Sequence, residues 1–198
     1  MTRTASTMAD MGKPVKLSFS HIGIVVNDLA LMEDFYTRVL GFTVSDRGVA
    51  RGSKIVFTTW DPLEHHQMVL VEGRPDHMPF NHINQMSFRV QSIEELQAVN
   101  ARVEKAAGVH DLYGTNHGFA WSIYFRDPEG NRVEIFCDSP WYIDQPCVEA
   151  LDLSLPADEI RARSLEFCKT SHGFKPAKDY QEELAQKIKT HSQAQVLR

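Results

Sequence analysis

Apolar residues recur along the chain with two different periods, and the same order of periods occurs twice. Ser18 to Val26 is rich in β-branched and aromatic residues, which predicts a strand, and Asn27-Asp28 offers a helix N-cap. Apolar residues then recur at helical spacing up to Gly41, and three short strands follow at about 42–46, 54–60 and 67–72. Turns are predicted at Asp46-Arg47-Gly48, Arg51-Gly52 and Asp61-Pro62.

The second half of the chain predicts the same order of elements. Gln85 to Val90 predicts a strand, Ser92 a cap, and the stripe from Ile93 to Val103 a helix. Strands follow at about 111–114, 119–126 and 131–137, and the last hairpin turns at Asp127-Pro128-Glu129-Gly130, the pattern of a type I turn.

A shift of 64 residues relates the two halves, since it carries His21 onto Gln85, Val26 onto Val90 and Val39 onto Val103. This repeat predicts an α+β fold in which two βαβββ modules pair into a cup-shaped mixed sheet, because a helix covers only one face of each sheet and the other face needs a partner. The pattern leaves open whether the modules pair within one chain or swap across a dimer.

The chain divides into four predicted parts. We predict a flexible N-terminal arm at 1–16, a first module at 17–75, a second module at 76–149, and a helical C-terminal extension at 150–198. Within the extension, a helix is expected to begin at Pro156, and a second, highly charged one to cover 177–189.

Composition and charge narrow the function classes. The net charge of -5 argues against a nucleic-acid partner, and the longest apolar runs are too short to span a membrane. The three cysteines form no C-x-x-C pair, which indicates reduced thiols and a cytoplasmic protein. Exposed strand edges and the tail predict a homodimer or higher homo-oligomer.

The repeat also brings possible metal ligands into register. Strand alternation places His21 on one face with Gly23, and it places Glu134 opposite Val133 and Ile135. The repeat relates four positions that are predicted to face the cavity. His21, Gln85 and Glu134 occupy three of them, and the fourth holds Leu70, which cannot bind a metal. His82 could replace Gln85 only if the strand register shifted, since its offset of three residues puts it on the other face.

Three segments, HIGIVVNDLALMEDFYTRVLGF, QMSFRVQSIEELQAV and YFRDPEGNRVEIF, resemble the vicinal oxygen chelate superfamily over about residues 18–146. This superfamily includes glyoxalase I, fosfomycin-resistance proteins and type I extradiol dioxygenases, and the chain resembles the single-domain extradiol dioxygenases in particular. The resemblance implies a divalent metal held by His21, Gln85 and Glu134. Such a site, open on one side, favours Fe(II), with Mn(II), Ni(II) or Zn(II) as alternatives.

Three further residues are implied by the resemblance to extradiol dioxygenases. His66 corresponds to their acid/base histidine, Tyr124 to a tyrosine that orients the catecholate, and His117, at a slightly different spacing, to a further active-site histidine. From the pattern alone, His65-His66 could equally be a solvated turn and Tyr124 a core aromatic. Gln85 departs from the family, because extradiol enzymes carry histidine there.

These expectations define a leading function and two rivals. The leading one is a metal-dependent, extradiol-type ring-cleaving dioxygenase that acts on a catechol-like aromatic diol and dioxygen in the catabolism of aromatic compounds. One rival is a glyoxalase-like isomerase or lyase with the same metal site, which Gln85 favours. The other is a metal-free small-molecule-binding protein of the bleomycin-resistance type.

Overall fold

Both halves of the chain form the βαβββ unit that their periodicity predicts. The computed structural model describes residues 17–75, 77–78 and 83–196, so the predicted arm at 1–16 and His82 lie outside the described residues. The α+β class with two βαβββ modules and a C-terminal helical extension is confirmed.

The first module consists of four strands and one helix, which continues as a π-helical turn over Phe35–Val39. Its elements are β1 (Ile22–Val26), α1 (Leu29–Asp34), β2 (Thr43–Ala50), β3 (Ser53–Thr59) and β4 (Met68–Glu72). Asp28 caps α1 by accepting a hydrogen bond from the Leu31 amide, as the sequence predicts.

The predicted turn at Asp46-Arg47-Gly48 is wrong. These residues lie inside β2, where the pairing with β3 shifts between Val44 and Asp46. Asp46, Arg47 and Gly48 are themselves paired with Phe57, Val56 and Ile55 of β3, so the strand continues through them. The hairpin turns instead at Arg51 and Gly52, whose φ angles are 52° and 86°.

The second module repeats this order, and the extension follows it. The module comprises β5 (Met86–Arg89), α2 (Ile93–Val103), β6 (His110–Asn116), β7 (Ala120–Arg126) and β8 (Arg132–Asp138). Two short strands, β9 (Trp141–Tyr142) and β10 (Glu149–Ala150), follow β8, and the extension then comprises α3 (Ala157–Thr170), β11 (Lys175–Pro176) and α4 (Ala177–Val196). The strands β9, β10 and β11 have two residues each, too few for a periodic signal.

Hydrogen bonds join the module strands into two separate sheets. Sheet A has the order β1-β4-β3-β2, and sheet B has the order β10-β6-β7-β8-β5. In each sheet the first strand of the module lies at an edge and pairs in parallel with the last strand of the module.

The two modules pack against each other through the faces that carry their helices. In sheet A, Ile24 and Leu70 are neighbours on the buried helix face, and in sheet B the equivalent face carries Phe125. Phe35, at the end of α1, contacts the Phe125 ring with 6.3 Å between ring centroids. α1 therefore touches both sheets, and one continuous hydrophobic core lies between them.

This packing corrects the predicted position of Leu70. Leu70 is fully buried on the face of sheet A that carries the helix. On the opposite face, which we call the open face, Val69 pairs with Gly23. The equivalent pair in sheet B is Glu134 with Ser87. The repeat offset is 64 residues at the first strands but 65 at the last ones, because the first module is one residue shorter between them. Valine, like leucine, cannot bind a metal.

The hairpin between β7 and β8 joins the two modules. The Glu129 carboxylate accepts hydrogen bonds from the amides of Asn27 and Asp28 and forms an ion pair with Arg74 at 3.2 Å. Nearby, the buried Tyr36 hydroxyl donates to Asp127 at 3.0 Å, and burial raises the pKa of the Asp127 carboxyl. The turn that the sequence predicts is thus also an inter-module contact.

The first part of the extension packs on the second module, and the later part of α4 is exposed. Ser164 of α3 accepts a hydrogen bond from the Trp121 indole at 2.8 Å, and Tyr180 at the start of α4 stacks on Tyr142. From residue 181 to residue 190, every side chain of α4 is exposed. Among the described residues, no helix is long and apolar enough to cross a membrane.

Candidate active site

The open face of sheet B presents a carboxylate that four side chains hold. Glu134 is 8% exposed, and its Oε1 accepts hydrogen bonds from Ser122 at 2.9 Å and from Tyr124 at 2.5 Å. Its Oε2 accepts from Ser87 at 2.5 Å and from Gln85 at 2.9 Å. Because all four donors are side chains on neighbouring strands of one sheet, the position of the carboxylate is tightly defined.

Gln85 is oriented by the same carboxylate. Its Nε2 donates to Glu134 and also to Ser87, at 3.1 Å. With the amide nitrogen turned to these acceptors, Oε1 is the atom left for another partner. An amide oxygen next to a carboxylate is a ligand pair that suits a hard divalent cation.

A chain of hydrogen bonds extends from Glu134 to His117. The Tyr124 hydroxyl lies 3.0 Å from Nε2 of His117, and Nδ1 of His117 lies 2.7 Å from the backbone carbonyl of Cys147. Burial, followed by the contact with Glu134, raises the pKa of Tyr124, so this side chain stays a phenol at neutral pH. Tyr124 therefore links a carboxylate to an imidazole.

The open face of sheet A carries the other two predicted residues. His21 packs edge-on against His66 with 4.3 Å between ring centroids, and His66 also contacts Phe57 at 5.1 Å. Phe57 pairs with Val69, which places all three rings on the face opposite Leu70. Burial lowers the pKa of His66, and the neighbouring His21 and His65 lower it further.

The chain gathers the predicted residues into two groups rather than one. Gln85, Tyr124, Glu134 and His117 lie together at sheet B, and His21 and His66 lie together at sheet A. Since the helix faces of both sheets meet in the shared core, the two open faces point away from each other. Accordingly, the described part of the chain contains no cluster of three His, Cys, Asp or Glu side chains that could hold a metal.

Two serines were not singled out from the sequence, although the structure gives them a clear role. Ser87 and Ser122 both donate to Glu134, and Ser122 is fully buried. Strand alternation could have found them, because Ser87 lies two residues after Gln85 and Ser122 two residues before Tyr124, on the same faces.

Comparison with known proteins identifies relatives of both the sequence and the fold. The profile of the Glyoxalase/Bleomycin resistance protein/Dioxygenase superfamily matches residues 18–135. Among solved structures, a glyoxylase/bleomycin resistance protein/dioxygenase domain from a Frankia species superimposes with a TM-score of 0.55 at 23% identity, covering 63% of this chain and 94% of that one. The fosfomycin resistance protein FosX from Listeria monocytogenes gives a TM-score of 0.51 at 21% identity, covering 63% of this chain and 96% of FosX.

Curated relatives include two ring-cleaving enzymes of Rhodococcus globerulus. Biphenyl-2,3-diol 1,2-dioxygenase 2 is 29% identical over 124 residues, and biphenyl-2,3-diol 1,2-dioxygenase 3 is 28% identical over 125 residues. Each match covers 61% of this chain, and the chain spans 63% of the length of either relative.

Proposed function

Because the chain belongs to the Glyoxalase/Bleomycin resistance protein/Dioxygenase superfamily, we propose that it is an extradiol-type ring-cleaving dioxygenase that uses Fe(II) and acts on a catechol-like aromatic diol. The observation that carries this proposal is the hydrogen-bonded series His117–Tyr124–Glu134, which sets a proton acceptor and a phenol beside a carboxylate ligand. The similarity to biphenyl-2,3-diol dioxygenases supports the same substrate class.

The metal site that we propose is shared between two copies of the chain. Sheet B of one copy supplies Glu134 and Gln85, and sheet A of the other supplies His21, because the two open faces of a single chain point away from each other. A carboxylate, an amide oxygen and an imidazole are ligands that a divalent first-row metal accepts. Pairing of the open faces would also bury the apolar parts of both, including Phe57 and Tyr113, and give a homodimer or a larger homo-oligomer.

The residues of the chain then have distinct tasks. The bound metal would supply a positively charged centre for the two vicinal oxygens of the diol and for dioxygen. His117 would accept a proton from a substrate hydroxyl through its Nε2. The Tyr124 hydroxyl, which donates to Glu134 in the free protein, would turn its hydrogen bond to the resulting oxyanion. His66 provides a second acid/base next to His21, and its lowered pKa keeps it neutral and able to accept a proton at pH 7.

The first test is metal-dependent oxygen consumption. Protein reconstituted without oxygen with Fe(II) is expected to consume dioxygen stoichiometrically when 2,3-dihydroxybiphenyl or catechol is added, and Mn(II), Ni(II) and Zn(II) loaded separately provide the comparison. An oxygen electrode and the visible absorbance of the ring-opened product measure the reaction. Binding of the diol without oxygen uptake under any metal would contradict the proposal.

A second candidate function follows from Gln85. An amide binds Fe(II) less strongly than the histidine of extradiol enzymes, and it is compatible with a non-oxidative isomerase, lyase or hydrolase that uses Mn(II), Ni(II) or Zn(II). Turnover of a substrate by the metal-loaded protein in the absence of oxygen would favour this candidate. Ligand binding that is independent of metal and unchanged in Glu134→Ala would instead indicate a binding protein.

The contribution of Gln85 can be measured directly. In Gln85→Ala we expect metal affinity to fall by about 10- to 100-fold, the range found when a group supporting a metal site is lost. Competition with a fluorescent chelator and elemental analysis of protein purified without chelator give the numbers. Gln91→Ala, which removes an exposed glutamine outside the site, is the matched control, and equal affinities of wild type and Gln85→Ala would remove Gln85 from the ligand set.

We also propose that the protein is located in the cytoplasm. All three cysteines, Cys137, Cys147 and Cys168, are free thiols, which fits the reducing conditions of the cytoplasm.

A further inference from the structure

The segment after β8 reaches back to the candidate site, although it lies beyond the residues that match the family profile. Gln145 donates through Nε2 to the carbonyl of His117 at 2.8 Å and to the carbonyl of Ile143 at 3.2 Å. Its Oε1 accepts from the Cys147 amide at 3.2 Å. One side chain therefore ties both ends of its own turn to the loop that carries His117.

The turn also touches this loop by close packing. Gly118 has a φ of +78°, and a Cβ atom added there would lie 2.3 Å from Cγ1 of Ile143. Ile143 is 2% exposed. The loop and the turn thus meet at a position where only glycine fits, so the loop that carries His117 packs closely against the turn that precedes Cys147.

The contact with Cys147 determines which nitrogen of His117 carries hydrogen. A backbone carbonyl only accepts, so Nδ1 of His117, at 2.7 Å from the Cys147 oxygen, must be the protonated nitrogen. In the neutral ring Nε2 then keeps its lone pair and lies 3.0 Å from the Tyr124 hydroxyl, whose single proton can go either to Nε2 or to Oε1 of Glu134, at 2.5 Å. This is the less common tautomer of a free histidine side chain, so the surroundings must impose it.

We infer that Gln145 is a positioning residue for the reaction: by holding the Cys147 carbonyl on Nδ1, it keeps Nε2 of His117 as the proton acceptor of the site. The inference rests on the proposed function for its catalytic consequence, whereas the tautomer itself can be measured on metal-free protein without substrate. Gln145 does not touch Glu134, Gln85 or His21 in the described structure, so it acts only through His117.

The experiment compares wild type with Gln145→Ala, with Val148→Ala as the matched control. Val148 belongs to the same segment, is 77% exposed and makes none of these contacts. Long-range ¹H–¹⁵N spectra of histidine-labelled, metal-free protein report the tautomer, and His117→Gln identifies the signal. We expect a pure Nδ1–H tautomer in wild type and Val148→Ala, and a mixture with Nε2–H in Gln145→Ala.

Kinetics on the Fe(II)-loaded protein provide the second measurement. In Gln145→Ala we expect kcat to fall by about 10-fold with KM changed less than about 2-fold, since binding groups are untouched while the acceptor is present only part of the time. An Nε2–H tautomer in wild type, or an unchanged tautomer in Gln145→Ala, overturns the inference. If wild type turns over no diol although the tautomer result holds, the proposed function fails and the positioning role of Gln145 stands.

The inference can be tested even if the Gln145→Ala variant does not fold. Near-ultraviolet circular dichroism shows whether Gln145→Ala folds. If it does not, the tautomer of the wild-type protein still tests the contact with the Cys147 carbonyl, and Gln145→Glu tests the hydrogen bonds that Gln145 makes. The carboxylate of this variant keeps the acceptor for the Cys147 amide but loses both donated hydrogen bonds. A pure Nδ1–H signal in Gln145→Glu would also overturn the inference.

Discussion

Mixing two inactive variants, His21→Ala and Glu134→Ala, is expected to restore about a quarter of the wild-type activity after subunit exchange. Random assortment makes half of the dimers mixed, and each mixed dimer has one of its two shared sites intact. Each variant alone is expected to lose at least about 100-fold in metal affinity and activity, because each lacks one ligand. The measurement is oxygen uptake and bound iron before and after the mixture is equilibrated.

The control mixture combines two variants of the same face, His21→Ala and His66→Gln. Both residues lie on sheet A, so every site of a mixed dimer contains one of the two substitutions, and activity stays low. Recovery in this control would show that His21 and His66 serve different sites. No recovery in the first mixture, or full metal binding by protein that sediments as a monomer, would show that one chain completes its own site.

The largest loss of stability is expected from Glu129→Ala. The Glu129 carboxylate and the Arg74 guanidinium are each 6% exposed, and Glu129 also accepts from the amides of Asn27 and Asp28. Removing the carboxylate leaves a buried positive charge without a partner, which costs about 3–5 kcal/mol of the free energy of unfolding. Urea unfolding at fixed protein concentration measures the change, because association contributes to stability.

The double variant Arg74→Met/Glu129→Ala separates the ion pair from the packing. We expect it to recover much of the loss, since an apolar side chain in place of the buried charge needs no partner. A loss below about 1 kcal/mol in Glu129→Ala alone would mean that water or another group replaces the carboxylate at the hairpin. It would also mean that the hairpin contributes little to holding the two modules together.

The sequence predicts the elements and their faces well because both depend on local periodicity. Strand alternation alone places Glu134 opposite Val133 and Ile135, and the structure agrees. The same local information does not show what a buried face packs against. The repeat therefore leads to two βαβββ modules, but it does not reveal that they pack through their helices.

Other features escaped prediction for equally physical reasons. Leu70 was misplaced because a constant repeat offset ignores one missing residue, and a single residue turns every side chain of a strand to the other face. The contact between His117 and Cys147 depends on a backbone carbonyl, which any residue type would supply. Ser87 and Ser122 are common residues whose roles become visible only next to Glu134.

The back-to-back arrangement of the modules has a consequence for assembly. The open faces of sheets A and B differ in shape and chemistry, so each would recognise its opposite on another molecule rather than a copy of itself. Where a twofold axis relates two molecules, both pairs of faces are satisfied and growth stops. Where the axis is lost, the same contacts would repeat from one molecule to the next and produce an open-ended fibre, so the shared site proposed above would require twofold symmetry for the assembly to close.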